Sequence, residues 1–91
     1  MTVYCVSYDL NKTGQNYNAI HEELKRSPAW CHLLDSTWLV STNETGQQLN
    51  DRLVHQVDKN DRLLVVKVTS PHFQGWLSDD AWTWIYQHVT A

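Results

Sequence analysis

The chain has 91 residues, of which 42% are apolar and 19% charged, and it carries a net charge of −3 with a pI near 5.9. That is one domain's worth of ordinary globular sequence, with room for a single core. It excludes a disordered acidic tail, and it argues against a protein that grips nucleic acid by bulk charge, because such domains are basic with clustered Lys and Arg. Here Lys12, Lys25, Arg26, Arg52, Lys59, Arg62 and Lys67 are spread along the chain. Cys5 and Cys31 form no metal-type spacing and no disulfide framework. No run approaches the roughly 20 apolar residues of a membrane span, and Met1 leads straight into a strand pattern without a signal-like segment. A cytoplasmic protein without membrane association is expected.

Residues 2–10 (TVYCVSYDL) are β-branched and aromatic, with apolar groups at both parities, as a central strand buried on both faces requires. The polar segment 11–15 with Gly14 ends it. Asn16 is then placed to cap a helix whose Tyr17, Ile20 and Leu24 share one face, and Ser27-Pro28 stops that helix. Two β-forming runs, 30–34 and 37–41, are split by Asp35-Ser36 and read as a hairpin.

Thr45-Gly46-Gln47-Gln48 is a capping box, opening a second helix with Leu49, Leu53, Val54 and Val57 as its apolar stripe. Residues 58–62 form a charged turn, and 63–69 (LLVVKVT) form a last strand, ended by Ser70-Pro71. After the aromatic connection 72–77, Ser78 caps a third helix with Asp79 and Asp80 in its first turn. Leu77 and Trp82 take the staple positions, and Ala81, Trp82, Ile85 and Val89 form the inward face.

The order is βαββαβ with an added helix. The expected fold is α/β in the α+β sense, a ferredoxin-like sandwich over residues 1–91: a four-stranded antiparallel sheet, two helices on one face, and a C-terminal helix. If Leu64, Val66 and Val68 face the helices, then Leu63, Val65 and the Lys67 stem face outward. An open apolar sheet face is covered by another copy or by the terminal helix, so a homodimer is expected.

Asp9 is the residue most suited to chemistry, since it ends a buried strand beside a loop, where a carboxylate can hold a hard divalent cation. The competing reading is an aspartate that initiates the following turn. The five histidines, His21, His32, His55, His72 and His88, show no metal-helix spacing, and general-base or metal work needs two to converge. Each reads as a satisfied or surface residue, with His72 in the aromatic loop placed nearest a pocket. Phe73, Trp76, Trp82, Trp84 and Tyr86 suit either base stacking or a small core with a dimer contact. Trp82 and Trp84 cannot both face inward on one helix.

A chain of this length with a first strand ending Tyr8-Asp9-Leu10 resembles the small CRISPR adaptation nuclease family (Cas-two) and the related virulence-associated protein D. The likeness covers roughly residues 2–69 and is strongest in VYCVSYDL. It implies a dimer, and it makes Asp9 the metal-binding catalytic residue. In that enzyme reading Ser7 or Tyr8 assists placement, and His72 and Trp76 of the aromatic connection are further candidate binding residues. The implied cofactor is Mg²⁺ or Mn²⁺ and the implied activity is endonuclease cleavage of RNA or DNA. The alternative is a non-catalytic module that binds nucleic acid, a nucleotide or a protein partner, in phage defence or a toxin–antitoxin pair. The acidic charge and the GWLSDDAWTWI helix depart from the family pattern.

Overall fold

The computed structural model describes residues 1–10 and 17–89; the expected loop at 11–15 and the Asn16 cap lie outside them. Four strands, β1 (Thr2–Asp9), β2 (Ala29–Leu34), β3 (Thr37–Thr42) and β4 (Arg62–Lys67), form one sheet in the order β2-β3-β1-β4. All neighbours are antiparallel. With α1 (Asn18–Leu24) and α2 (Gly46–Val54) on one face, this is the ferredoxin-like arrangement. The expected elements and their order are all present. The hairpin turns at Asp35-Ser36, with a register irregularity between His32 and Leu34.

β1 lies in the interior of the sheet, paired on both sides. Its even residues Tyr4, Val6, Tyr8 and Leu10 join Ile20, Leu24, Trp38, Val40, Leu49 and Leu53 in the helix-side core. Its odd residues meet the other face, where Val3 packs with Leu39 and Ile85. That second face is covered in part by α3 (Asp79–His88), whose Ala81 and Ile85 are buried while Leu77, Trp82, Trp84 and Val89 pack at its margins. Ser78 caps α3 by accepting from the Ala81 amide, and the Thr45 capping box of α2 is complete.

Three expectations are corrected. On β4 it is Leu63 and Val65 that pack toward α1 and α2, leaving Leu64 and Val66 outward, 60% and 47% exposed. The reason is register: Leu63 lies opposite Tyr8 and Val65 opposite Val6, and residues directly opposed in a ladder share a face. An all-apolar strand hides its own parity, so only the partner strand decides it. Val54 and Tyr17 are also exposed rather than inward, each at the margin of its helix's apolar stripe.

The helix layer is tied down by Arg52 of α2. Its Nε donates to Glu44 (3.1 Å), Nη1 to the backbone carbonyl and carboxylate of Glu23 (2.7 and 3.1 Å), and Nη2 to Glu44 (2.8 Å) and Ser27 (3.0 Å). The Arg52 hydrogen bond holds the Glu44 carboxyl below the usual carboxylate range, against the opposing pull of burial. Removing the guanidinium leaves Glu23, whose side chain is only 9% exposed, with the largely exposed Arg26 at 3.7 Å as its remaining cation. Arg52→Ala is expected to lose about 3 kcal/mol, as when one partner of a buried pair is removed, measurable by urea unfolding. Because Glu44 is depressed in the folded state, its contribution is complete above the ordinary glutamate value of about 4.3 and fades as pH falls through the lower folded value. Urea midpoints measured across that acid window should fall less steeply for Glu44→Gln than for the native chain.

Candidate functional site

Asp9 closes β1 on the second sheet face, with Ser7 two residues before it. Opposite them on β4 stand Arg62, paired in register with Asp9, and Leu64, paired with Ser7. A shallow hollow of about 250 Å³ lies here, lined by Ser7, Tyr8, Asp9, Arg62, Leu63 and Leu64. Ser7 Oγ lies 3.5 Å from Thr37 Oγ1 on β3. The strand therefore brings together a carboxylate, a hydroxyl and a guanidinium beside two outward aliphatic side chains, Leu64 and Val66.

A hard divalent ion takes six or more oxygen ligands, mostly carboxylates, carbonyls and waters. One copy offers Asp9 as carboxylate and Ser7 as hydroxyl, with a cationic Arg62 as neighbour. Among the described residues no group of three or more His, Cys, Asp or Glu side chains is placed to hold a metal. The described residues of a single copy do not by themselves fit Mg²⁺ or Mn²⁺ at Asp9, since they bring no second carboxylate to it.

Of the other residues expected at this site, Tyr8 borders the hollow but turns its ring away, and His72 and Trp76 are placed apart from it. Tyr8 has the opposite parity, and its ring is buried in the helix-side core. His72 and Trp76 belong to the connection after β4, which leaves the sheet where the Val68 amide donates to the Val3 carbonyl, at the far end of β1 from Asp9. Both are exposed, and Trp76 is 99% so. Phe73 and Leu77 of the same connection pack under α3.

Tyr8 instead anchors a polar cluster that no spacing in the sequence announced. Its hydroxyl accepts from Trp38 Nε1 (3.2 Å) and lies 2.8 Å from His21 Nε2. His32 on β2 stacks on Trp38 (4.2 Å between centroids, 14° between planes), and its Nε2 donates to the Asp35 carbonyl (3.0 Å). His21 and His32 thus converge, although each reads separately as a satisfied or surface residue. Burial pushes the Tyr8 phenol up, and burial followed by the nearby His32 pushes the His21 imidazole down. The alternation Trp30/His32 against Cys31/Leu33 places His32 on the helix side of β2, but only the fold sets His21 beside it.

The cysteines are also resolved. Cys31, Leu39, Cys5 and Val66 form one row across the sheet, so the two thiols are separated by a whole strand. Two strand spacings are about 9.5 Å, beyond the roughly 7 Å that a disulfide spans. Both are free and half-buried, and burial raises both thiols.

No protein-family model and no solved structure matches the chain. None of the described helices is long and apolar enough to cross a membrane.

The row geometry makes one expectation concrete. Thiol titration of the unreduced protein, unfolded in denaturant, should return two free thiols per chain; a protected pair would contradict the strand order.

Proposed function

We propose that this chain works as a homodimer joined across the bare half of its second sheet face, and that the dimer is a protein-binding module rather than a single-copy enzyme. The observation that carries this reading is the surface left by α3: Leu64 and Val66 exposed beside the half-buried Cys5, bordered by one acid and one base, Asp9 and Arg62. A two-fold contact is isologous, each patch meeting its own copy. A patch with an apolar centre and one charge of each sign is self-complementary in that way, because Asp9 of each copy can face Arg62 of the other. A net charge of −3 also favours protein over nucleic acid as the further partner.

A second reading stays close to the resemblance to the CRISPR adaptation and virulence-associated D proteins. Asp9 lies at the rim of the same face, so a dimer across it would supply the second carboxylate that one copy lacks. That is the condition for a divalent-metal-dependent endonuclease acting on RNA or DNA. The setting implied by the resemblance, phage defence or a toxin–antitoxin pair, is common to both readings.

Light scattering of the native chain at micromolar concentration should give a dimer, and Leu64→Glu with Val66→Glu should give a folded monomer. A native monomer would overturn the first reading and remove the shared-carboxylate condition of the second. Incubation with RNA, single-stranded DNA and duplex DNA in Mg²⁺, Mn²⁺ or EDTA then separates the two. Metal-dependent cleavage that disappears in Asp9→Ala assigns the enzyme; no cleavage, or equal cleavage by both proteins, leaves the binding module.

A further inference from the structure

The helix-side face ends in two polar clusters with opposite character. At one, the Arg52 guanidinium has all of its nitrogens engaged, on Glu23, Glu44 and Ser27. At the other, two imidazoles from different elements meet near the surface. His21 of α1 and His32 of β2 have ring centroids 5.1 Å apart with 63° between their planes. His21 is half-buried and His32 exposed.

The hydrogen bonds select which nitrogen of each ring is committed. The Asp35 carbonyl can only accept, so His32 carries its proton on Nε2 and leaves Nδ1 as the lone-pair nitrogen. The Tyr8 hydroxyl accepts from Trp38 Nε1 and donates its one proton to the Asp35 carbonyl (3.5 Å), so at 2.8 Å His21 Nε2 is the donor, and Nδ1 is again the nitrogen without a partner among the described residues. A metal-bound histidine characteristically has its second nitrogen anchored on a carbonyl or another oxygen, which fixes both tautomer and ring orientation. Two imidazoles bound to one tetrahedral ion at about 2.0–2.1 Å place their centroids roughly 5 Å apart.

We propose that His21 and His32 form a two-imidazole site for a borderline divalent transition metal of the Zn²⁺, Ni²⁺ and Cu²⁺ class, ligated through Nδ1 of each ring, with water completing the shell. Imidazole nitrogen suits these ions, whereas Mg²⁺ and Mn²⁺ prefer oxygen. His21 is kept neutral, as a ligand must be, by burial and by its neighbour. Of the charged groups on its own helix, Glu22 favours a cation at His21 and Lys25 opposes one; the charge nearest from the hairpin is Asp35, which acts on Tyr8. The site stands on different residues and a different face from Asp9, and it holds whether or not the chain dimerises.

Calorimetric titration of the native protein with ZnCl₂ and with NiCl₂, after EDTA treatment and removal of the chelator, should show one saturable ion per chain. His32→Ala should weaken it by about tenfold or more, and His21→Asn likewise, while His55→Ala and the double change Cys5→Ser, Cys31→Ser leave it intact. Because His21→Asn also removes a partner of Tyr8, the decisive variant is the exposed His32→Ala, checked for native circular dichroism. Nitrogen-15 ring spectra with Zn²⁺ should shift Nδ1 of both histidines. Absence of saturable binding, equal affinity in His32→Ala, or shifts confined to Nε2 would each overturn the site.

Discussion

β1 is hydrogen-bonded along both edges and apolar on both faces, and most of the molecule answers that constraint. A strand in this position creates a sheet with two faces to cover, from a chain with only three helices among its described residues. α1 and α2 cover the centre of one face and leave Trp30 and His32 on the β2 edge exposed; Val6, Ile20, Leu24, Trp38, Val40, Leu49 and Leu53 have essentially no exposure. Each such side chain contributes on the order of 1.5–3 kcal/mol of transfer free energy. α3 has the other face to itself. A helix is about 10 Å across, and four strands span roughly 15–20 Å, so one helix leaves a strip bare. Val3 and Leu39 lie under it, and the strip falls on the β4 edge, at Leu64 and Val66.

The short first helix depends on a second interaction. α1 has seven residues, and Tyr17 at its N-cap makes no side-chain capping bond. Helices of that length do not hold themselves together in water. Arg52 supplies part of what is missing: it donates to the Glu23 carbonyl in the helix's last turn, which also accepts from the Arg26 amide (3.2 Å), and places positive charge at the negative end of the dipole. The same guanidinium binds Glu44 in the segment between β3 and α2. A lysine has three donors on a point charge and could not serve a carbonyl, a hydroxyl and two carboxylates in fixed directions. Tyr4 reinforces the junction by donating to the Glu44 carbonyl.

Local signals in the sequence carried the elements themselves. The Thr45 and Ser78 caps and the Asp35-Ser36 turn each have a mechanism confined to a few residues, and each lies where it was expected; α1 and β4 end earlier than their prolines, at Leu24 and Lys67. What needs two distant segments was not legible. The parity of β4 is set by β1 across the ladder, because LLVV offers no polar residue to mark the outside. The Arg52 network joins residues 23, 27, 44 and 52, none at a helical spacing of three or four except Glu23 with Ser27. At the candidate site, Asp9 and Ser7 could be placed on one face from alternation alone. The neighbour that changes their chemistry, Arg62, becomes visible only through the register.

The two polar clusters on the helix side differ in what they leave for a ligand. Around Arg52 every guanidinium N–H is spent on groups of the same chain, so the cluster closes on itself and serves packing. Around Tyr8 the balance is different. The buried hydroxyl takes the Trp38 proton and one histidine nitrogen, the hairpin carbonyl takes another, and each imidazole keeps a second nitrogen without a hydrogen-bond partner among the described residues. Ligand chemistry follows unspent donors and acceptors. By that criterion the proposed metal site falls at the histidine pair rather than at the Arg52 cluster or the lone carboxylate of Asp9.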